Sequence, residues 1–224
     1  MQEKTHPDYL VSAPWLAARL GSPDVLVFDC TTRIVPDERT IYRTEPVIDR
    51  FLEGHIPGAQ FIDVQKDFSD GMHRYKFMLP TADRFAARAA AFGIGPDKTV
   101  VLYSTMDPWW ATRVWWLLRV FGHERVAVLD GGFDDWMAQG LPPETGPGRT
   151  REPGRFSARF NPRMVAGRDE VLSAIGQDGV CTINARLPSQ FAGVDGNNYG
   201  RPGRVPGSVN VPAASLIDPE TKAY

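Results

Sequence analysis

The sequence predicts an α/β fold: a parallel sheet with helices on both faces, built as a tandem repeat whose second copy is incomplete. Three observations predict it. Short apolar runs bounded by turn residues alternate with longer helical segments, as strand-helix units feeding a parallel sheet do. The runs Val25-Leu26-Val27-Phe28 and Thr99-Val100-Val101-Leu102-Tyr103 are apolar almost throughout, the pattern of strands covered on both faces. Finally, Phe51-Leu52-Glu53-Gly54-His55-Ile56-Pro57-Gly58-Ala59-Gln60-Phe61 returns as Tyr199-Gly200-Arg201-Pro202-Gly203-Arg204-Val205-Pro206-Gly207-Ser208-Val209. One half can therefore be read against the other.

Ser12-Ala13-Pro14-Trp15 opens a short helix, with a hydroxyl for the free amides and proline in the first turn, where it loses no bond. Gly21 and Pro23 end it. The strand Val25 to Phe28 leaves Asp29 near its C-terminal end. The stretch from Thr31 to Asp49 reads as irregular. Gly54 and Pro57-Gly58 make a turn into Phe61-Ile62. A helix from Thr81 to Phe92 is capped by Thr81 and stopped by Gly93. The strand Thr99 to Tyr103 is followed by a loop, Ser104 to Trp109, and a helix running to Phe121 and stopped by Gly122. Strand Val126 to Leu129, the Gly131-Gly132 turn and a helix around Trp136 complete the first unit, residues 1–140.

Pro142, Pro143, Gly146, Pro147, Gly148, Pro153 and Gly154 mark residues 141–163 as a linker. A partial second unit, residues 164–224, then carries a helix over Arg168 to Ile175 and a strand over Val180 to Asn184. Asp29 falls on Asn184, an offset of 155 (184 minus 29), and Gly54 on Gly203, an offset of 149 (203 minus 54). The loop between is shorter in the second copy. By the second offset Tyr224 matches Tyr75, so the counterparts of everything from Lys76 to the helix at Trp136 are missing. Parallel strands need cover on both faces and partners at both edges. The chain is therefore expected to be a truncated form of a longer protein, or its partial repeat to survive by docking on the first.

Hydrophobic residues at 42% and charged residues at 23% match ordinary globular usage and exclude a disordered chain. With 25 Lys+Arg against 27 Asp+Glu, the balance of -2 gives no case for nucleic acid or an anionic membrane as a bulk partner. No stretch approaches a membrane span, and Met1 to Asp8 does not open a secretory signal. Cys30 and Cys181 form no C-x-x-C pair, and a reducing cytoplasm is the expected location.

Ligands of open parallel sheets bind at the C-terminal strand ends. The loop after Tyr103 runs straight into a helix N-terminus, where unpaired amides and the helix dipole favour an anion. A cysteine there would be held as thiolate. The loop reads Ser104-Thr105-Met106-Asp107-Pro108-Trp109 and has none.

The motif Gly54-His55-Ile56-Pro57-Gly58-Ala59, the run Arg113-Val114-Trp115-Trp116-Leu117-Leu118-Arg119, the turn Leu129-Asp130-Gly131-Gly132-Phe133 and the triplet Asn184-Ala185-Arg186 resemble the tandem rhodanese family. The resemblance spans about Tyr9 to Tyr224. It implies a thiosulfate or 3-mercaptopyruvate sulfurtransferase with a rhodanese-like fold, a catalytically silent first half, and a nucleophilic cysteine in the second half's counterpart of Ser104 to Trp109. That loop falls past Tyr224. The implied chemistry is a double displacement through a cysteine persulfide, using a small anionic sulfur donor and a thiol or cyanide acceptor, with no metal or cofactor needed.

The resemblance gives Arg186 to the anionic donor, which a guanidinium suits by paired hydrogen bonds. The plain alternative is a surface or salt-bridged arginine at a strand end. Asn184 stands where the family has an acid, and Phe191-Ala192-Gly193 lacks the arginine common before that glycine in mercaptopyruvate enzymes, which favours thiosulfate. His55 is implied in a supporting polar role at the cleft, with a local structural hydrogen bond as the alternative. Its counterpart is Arg204. Cys181 has a rhodanese-like spacing to Arg186 but reads as a buried structural thiol inside an apolar strand. Cys30 stands past a strand end whose loop does not lead promptly into a helix. Ser104 has no visible base and reads as structural, with Asp107 capping the loop, and Trp109, Trp110, Trp115 and Trp116 read as packing. The competing function is a non-catalytic module binding an anion or a protein. A cysteine phosphatase is set aside, because neither cysteine begins a Cys-x5-Arg loop.

Overall fold

The computed structural model describes residues 9–39, 41–194 and 201–224. Residues 1–8, and Tyr199-Gly200 of the second repeat copy, lie outside the described residues. The first unit runs β1 (Leu10–Val11), α1 (Ala13–Ala17), β2 (Val25–Asp29), β3 (Thr32–Asp37), β4 (Ile41–Pro46), α2 (Ile48–Glu53), β5 (Gln60–Phe61), α3 (Val64–Asp67), α4 (Ala82–Ala91), β6 (Thr99–Tyr103), α5 (Trp109–Val120), β7 (Val126–Leu129) and α6 (Gly132–Ala138). The second copy adds α7 (Arg168–Ala174), β8 (Ile183–Asn184), α8 (Pro188–Ala192) and β9 (Val209–Asn210).

The first unit closes on a parallel sheet in the order β1-β7-β6-β2-β5. Successive side chains of a strand point to opposite faces, so β2 and β6 each feed two cores. Leu26, Phe28, Val100 and Leu102 pack with Phe85 of α4 and Val114 and Leu118 of α5. Val25, Val27, Val101 and Tyr103 pack on the other face with Leu16 of α1, Phe51 of α2 and Trp136 of α6. Helices thus cover both faces. Each fully buried Phe or Leu contributes about 1.5–3 kcal/mol of apolar transfer, and the strands read as unbroken apolar runs for this reason. The expected caps are in place: the Ser12 hydroxyl accepts from the Trp15 amide at 3.3 Å and that of Thr81 from the Arg84 amide at 3.4 Å.

Three expectations are corrected. The stretch from Thr31 to Asp49 is not irregular: β3 and β4 form an antiparallel hairpin from Thr32↔Pro46 to Asp37↔Ile41, and α2 begins at Ile48. Its polar and charged residues give neither strand an apolar face, so the period-two signal is weak. The strand at Val180 to Asn184 shrinks to Ile183–Asn184, and Cys181 is exposed rather than buried. The physical reason is the same for both: among the described residues β8 pairs with β9 alone, and the pair is left half exposed, Ile183 at 60% and Val209 at 47%. The two-residue edge strand β1 was too short to show any pattern.

Residues 141–161 form an extended strap on the first unit. The amide of Gly146 donates to Leu52, that of Arg149 to Ala59, that of Gly154 to Ala90 and that of Arg159 to Phe121, at 2.7 to 3.0 Å. Proline and glycine leave few internal bonds, so these amides find their acceptors on the unit they cross.

Candidate functional site

The C-terminal ends of β2 and β6 bring Asp29 and Tyr103 side by side, in register. Asp29 is 3% exposed, yet its carboxylate has several donors. The Thr31 amide donates to it at 2.8 Å, the Thr31 hydroxyl donates to it as well, and Tyr103 supplies a further hydrogen bond. Burial pushes the Asp29 carboxyl up to about 6, against the opposing effect of these bonds and of nearby His55. Tyr103 is in turn held well above the ordinary phenol range, by burial first and then by the Asp29 charge. Its hydroxyl accepts from the Ile56 amide at 3.3 Å, and the Thr31 hydroxyl oxygen accepts from the Thr105 amide at 2.9 Å. This buried cluster ties three segments together: the end of β2, the turn before β5 and the loop after β6. Its signal in the sequence was two neighbouring apolar runs ending in Asp29 and Tyr103, with Thr31 two residues on.

That loop enters α5 tightly. The Ser104 hydroxyl donates to the Asp107 carbonyl at 2.8 Å, which commits it to the loop's own backbone. Met106 takes a left-handed φ of 86°, and Gly132 lies so close that a Cβ there would stand 2.5 Å from the Ser104 carbonyl oxygen. Burial raises the Asp107 carboxyl, with Lys222 opposing. The last residues of the chain reach the same end of the sheet, the Tyr224 amide donating to Asp130 Oδ1 at 2.8 Å.

His55 is fully buried. Its Nδ1 lies 2.8 Å from the Phe51 carbonyl, and its ring stacks on Phe51 with centroids 4.0 Å apart. Its backbone pairs with Glu144 of the strap in both directions, at 2.9 and 2.8 Å, and the Glu144 carboxylate accepts from the Gly58 amide. Cys30 is also fully buried, its thiol pushed well up by burial first and the Asp29 charge second, so it is held as a neutral thiol. Cys181 is in no loop that leads into a helix N-terminus.

Arg186 lies in the second copy, half-buried, and belongs to a turn built like that of the first. β2 pairs with β5 as Phe28↔Gln60 and Asp29↔Phe61; β8 pairs with β9 as Ile183↔Val209 and Asn184↔Asn210. These pairings reproduce both offsets of the repeat. The Ile62 amide donates to the Asp29 carbonyl at 2.8 Å, and the Val211 amide to the Asn184 carbonyl at 3.1 Å. The Arg186 amide donates to Asn184 Oδ1 at 2.9 Å, as the Thr31 amide does to Asp29, so Arg186 stands in the place of Thr31. Its Nε donates to Gln190 Oε1 at 3.2 Å. His55 and Arg186 thus lie in different units. Among the described residues no helix is long and apolar enough to cross a membrane, and no three His, Cys, Asp or Glu side chains gather as a metal site requires.

Residues 12–139 match the family model of the rhodanese-like domain. The 3-mercaptopyruvate sulfurtransferase of Mus musculus is 34% identical over 219 residues, a match covering 94% of this chain and 71% of the mouse protein. The thiosulfate sulfurtransferase of Gallus gallus is 31% identical over 215 residues, covering 93% of this chain and 71% of the chicken protein. Among solved structures, the 3-mercaptopyruvate sulfotransferase of Escherichia coli superposes with a TM-score of 0.81 at 32% identity, over 95% of this chain and 78% of that one. With a five-stranded parallel sheet flanked by helices and a repeat whose strand pairing and turn bond recur in both copies, these matches have one meaning: the chain belongs to the rhodanese family.

Proposed function

We propose that this chain is part of a sulfurtransferase that moves a sulfane sulfur from a small anionic donor, thiosulfate or 3-mercaptopyruvate, to a thiol or cyanide through a cysteine persulfide. The observation that carries this reading is the equivalence of Thr31 and Arg186. In the first unit the side chain at this position reaches the loop after the neighbouring strand, Thr31 Oγ1 accepting from the Thr105 amide at 2.9 Å. In the second copy the same position holds the guanidinium of Arg186, whose Nε donates to Gln190 Oε1 at 3.2 Å, and on this reading it serves the counterpart of that loop. A donor bound there would set its charged group on Arg186 and its sulfur beside the loop amides.

The nucleophile is not among residues 1–224 on this reading, since Cys30 is a buried neutral thiol and Cys181 lies outside any such loop. It belongs to the second unit, in the counterpart of Ser104 to Trp109. Residues 1–140 and 164–224 are then two units joined by 141–163. The cysteine thiolate attacks the outer sulfur of thiosulfate, the S–S bond breaks and sulfite leaves with the electron pair. The acceptor then attacks the persulfide's outer sulfur and returns the thiolate. With 3-mercaptopyruvate the C–S bond breaks instead, and pyruvate leaves after taking up a proton. Arg186 holds the sulfonate or carboxylate oxygens. His55 supports the site from a distance, through the turn it anchors to Phe51. Phe191-Ala192-Gly193 carries no arginine of its own before the glycine, which favours thiosulfate, and both unpaired cysteines suit a reducing compartment such as the cytoplasm.

With thiosulfate and cyanide, residues 1–224 alone are expected to form no thiocyanate. A protein that also carries the second unit's cysteine loop is expected to form it, and Arg186→Gln to lower its kcat/KM about tenfold or more, the cost of a lost charged hydrogen-bond pair. Turnover by residues 1–224 that vanished with Cys30→Ser or Cys181→Ser would overturn the assignment. A second reading, a non-catalytic module that binds an anion or a protein, is favoured by the cysteine-free loop at Ser104. Donor binding without any sulfur transfer by the longer protein would select it.

A further inference from the structure

The strap crosses one end of the sheet, and it meets the strands in their spatial order. The Arg149 amide donates to the carbonyl of Ala59, the residue before β5, at 3.0 Å. Arg151 Nη2 donates to the carbonyl of Val25, the first residue of β2, at 3.5 Å. Arg155 passes Gly95, ahead of β6: a Cβ on that glycine would stand 3.7 Å from the Arg155 carbonyl oxygen. Arg159 passes Gly122, ahead of β7, its amide donating to the Phe121 carbonyl at 2.9 Å. These four strands are parallel and lie in the order β7-β6-β2-β5, so one arginine comes to the N-terminal end of each. The loop Ser104 to Trp109 is at the other end of the sheet.

Arg149, Arg155 and Arg159 are exposed and Arg151 is half-buried. Among the described residues none of the four makes an ion pair, and residues 145–161 hold a single acid, Glu152. The acids that lead into the strands at this end already have cations: Lys98 pairs with Asp97 at 2.9 Å, Arg119 with Glu124 at 3.1 Å, and the charges of Arg125 and Lys98 act on Asp24. Burial first, and then the Arg149 charge, draw the Arg151 guanidinium below its ordinary range, so neighbouring members of the row repel. We propose that this row of arginines is a docking surface for an acidic protein, on the far side of the sheet from the strand C-terminal ends and independent of the donor assignment. Carboxylates brought from outside relieve the repulsion, and a guanidinium takes a carboxylate by paired hydrogen bonds. A long nucleic acid fits less well, because the net charge of -2 opposes an extended polyanion. A compact acidic patch is governed by the charges within about 8 Å of it.

The test is fluorescence anisotropy of a labelled polyglutamate peptide of about sixteen residues, titrated with the chain near neutral pH at low ionic strength, beside a labelled polyuridylate of equal length. The parent is expected to bind the peptide, and more weakly as salt is raised. The triple variant Arg149→Ala, Arg155→Ala, Arg159→Ala is expected to bind it about tenfold or more weakly, and Arg155→Glu by itself about threefold more weakly. The three side chains are exposed, and alanine keeps the Cβ that Arg159 sets beside Gly122, so the urea midpoint of the triple variant is expected to stay that of the parent. A control, Arg33→Ala, Arg50→Ala, Lys66→Ala, removes three exposed cations elsewhere and is expected to change binding by less than about twofold. No binding by the parent, or equal losses in the two triple variants, would overturn the docking surface. Tighter binding of polyuridylate than of polyglutamate would overturn the choice of an acidic protein.

Discussion

Asp29 shows how one residue can be both a brace and a liability. Its carboxylate holds Thr31 and Tyr103 and, through them, the turn before β5 and the loop after β6, but burial keeps the carboxyl at about 6 against an ordinary 3.8. Between those values the folded protein holds a proton that the unfolded chain has released. Stability is therefore lost as pH rises through that window, by about 3 kcal/mol in all. Asp29→Asn removes the titration, so from about pH 4 to pH 8 the stability of the variant relative to the parent is expected to rise by about 2–3 kcal/mol in urea unfolding. A difference that did not change with pH would show that this carboxyl does not titrate there. The sequence marked Asp29 only as a residue near a strand end; its partner Tyr103, and Ile56 whose amide donates to the Tyr103 hydroxyl, come from distant segments, and no local pattern announces such a meeting. Cys181 teaches the converse. Its apolar neighbours read as a covered strand, yet burial depends on neighbours that a strand pattern does not supply.

At the scale of elements, long apolar runs were legible and polar ones were not. β2, β6 and β7 lie where the sequence puts them because unbroken apolar stretches bounded by turn residues have few alternatives. The β3-β4 hairpin was hidden because polar and charged residues are spread over both of its faces. The strap was legible as a linker from its prolines and glycines, but its course was not, since its amides are satisfied by Leu52, Ala59, Ala90 and Phe121, far away in sequence. Gly148 marks one close approach: at a φ of 72°, a Cβ there would stand 2.5 Å from the Ala59 carbonyl oxygen and 2.7 Å from the Phe51 ring. Gly140, at a φ of 70°, faces open space. Gly140→Ala is expected to cost about 1 kcal/mol, the left-handed penalty alone. Gly148→Ala is expected to cost about 3 kcal/mol, because the clash adds to it and falls on backbone and on a buried ring next to His55. Equal losses in thermal unfolding would mean that the strap lifts off freely.

Across the whole molecule the two copies differ in cover. The first has a five-stranded sheet between two helix layers; the second has β8 and β9, with Val180, Ile183, Val209 and Leu216 each about half exposed or more. Amides that open only by global unfolding lie in buried strands, whereas those of a two-stranded ladder open locally. Hydrogen exchange is therefore expected to be slow at Val100 to Tyr103 and faster by about two orders of magnitude or more at Val209 and Val211. Comparable protection in both would show that the second copy is as firmly built as the first.

The sequence by itself determined the parallel α/β architecture, the order of the main strands and helices, and the two offsets of the repeat. Each of these follows from periodicity, turn residues or self-similarity along the chain, and the paired registers at Asp29↔Phe61 and Asn184↔Asn210 carry them into space. The tertiary structure alone decided that His55 and Cys30 are sealed in the core, that Cys181 is exposed, and that the Arg186 amide bonds Asn184 as the Thr31 amide bonds Asp29. Burial and facing depend on which distant segments come to rest against a residue, and that is settled only when the whole chain has packed.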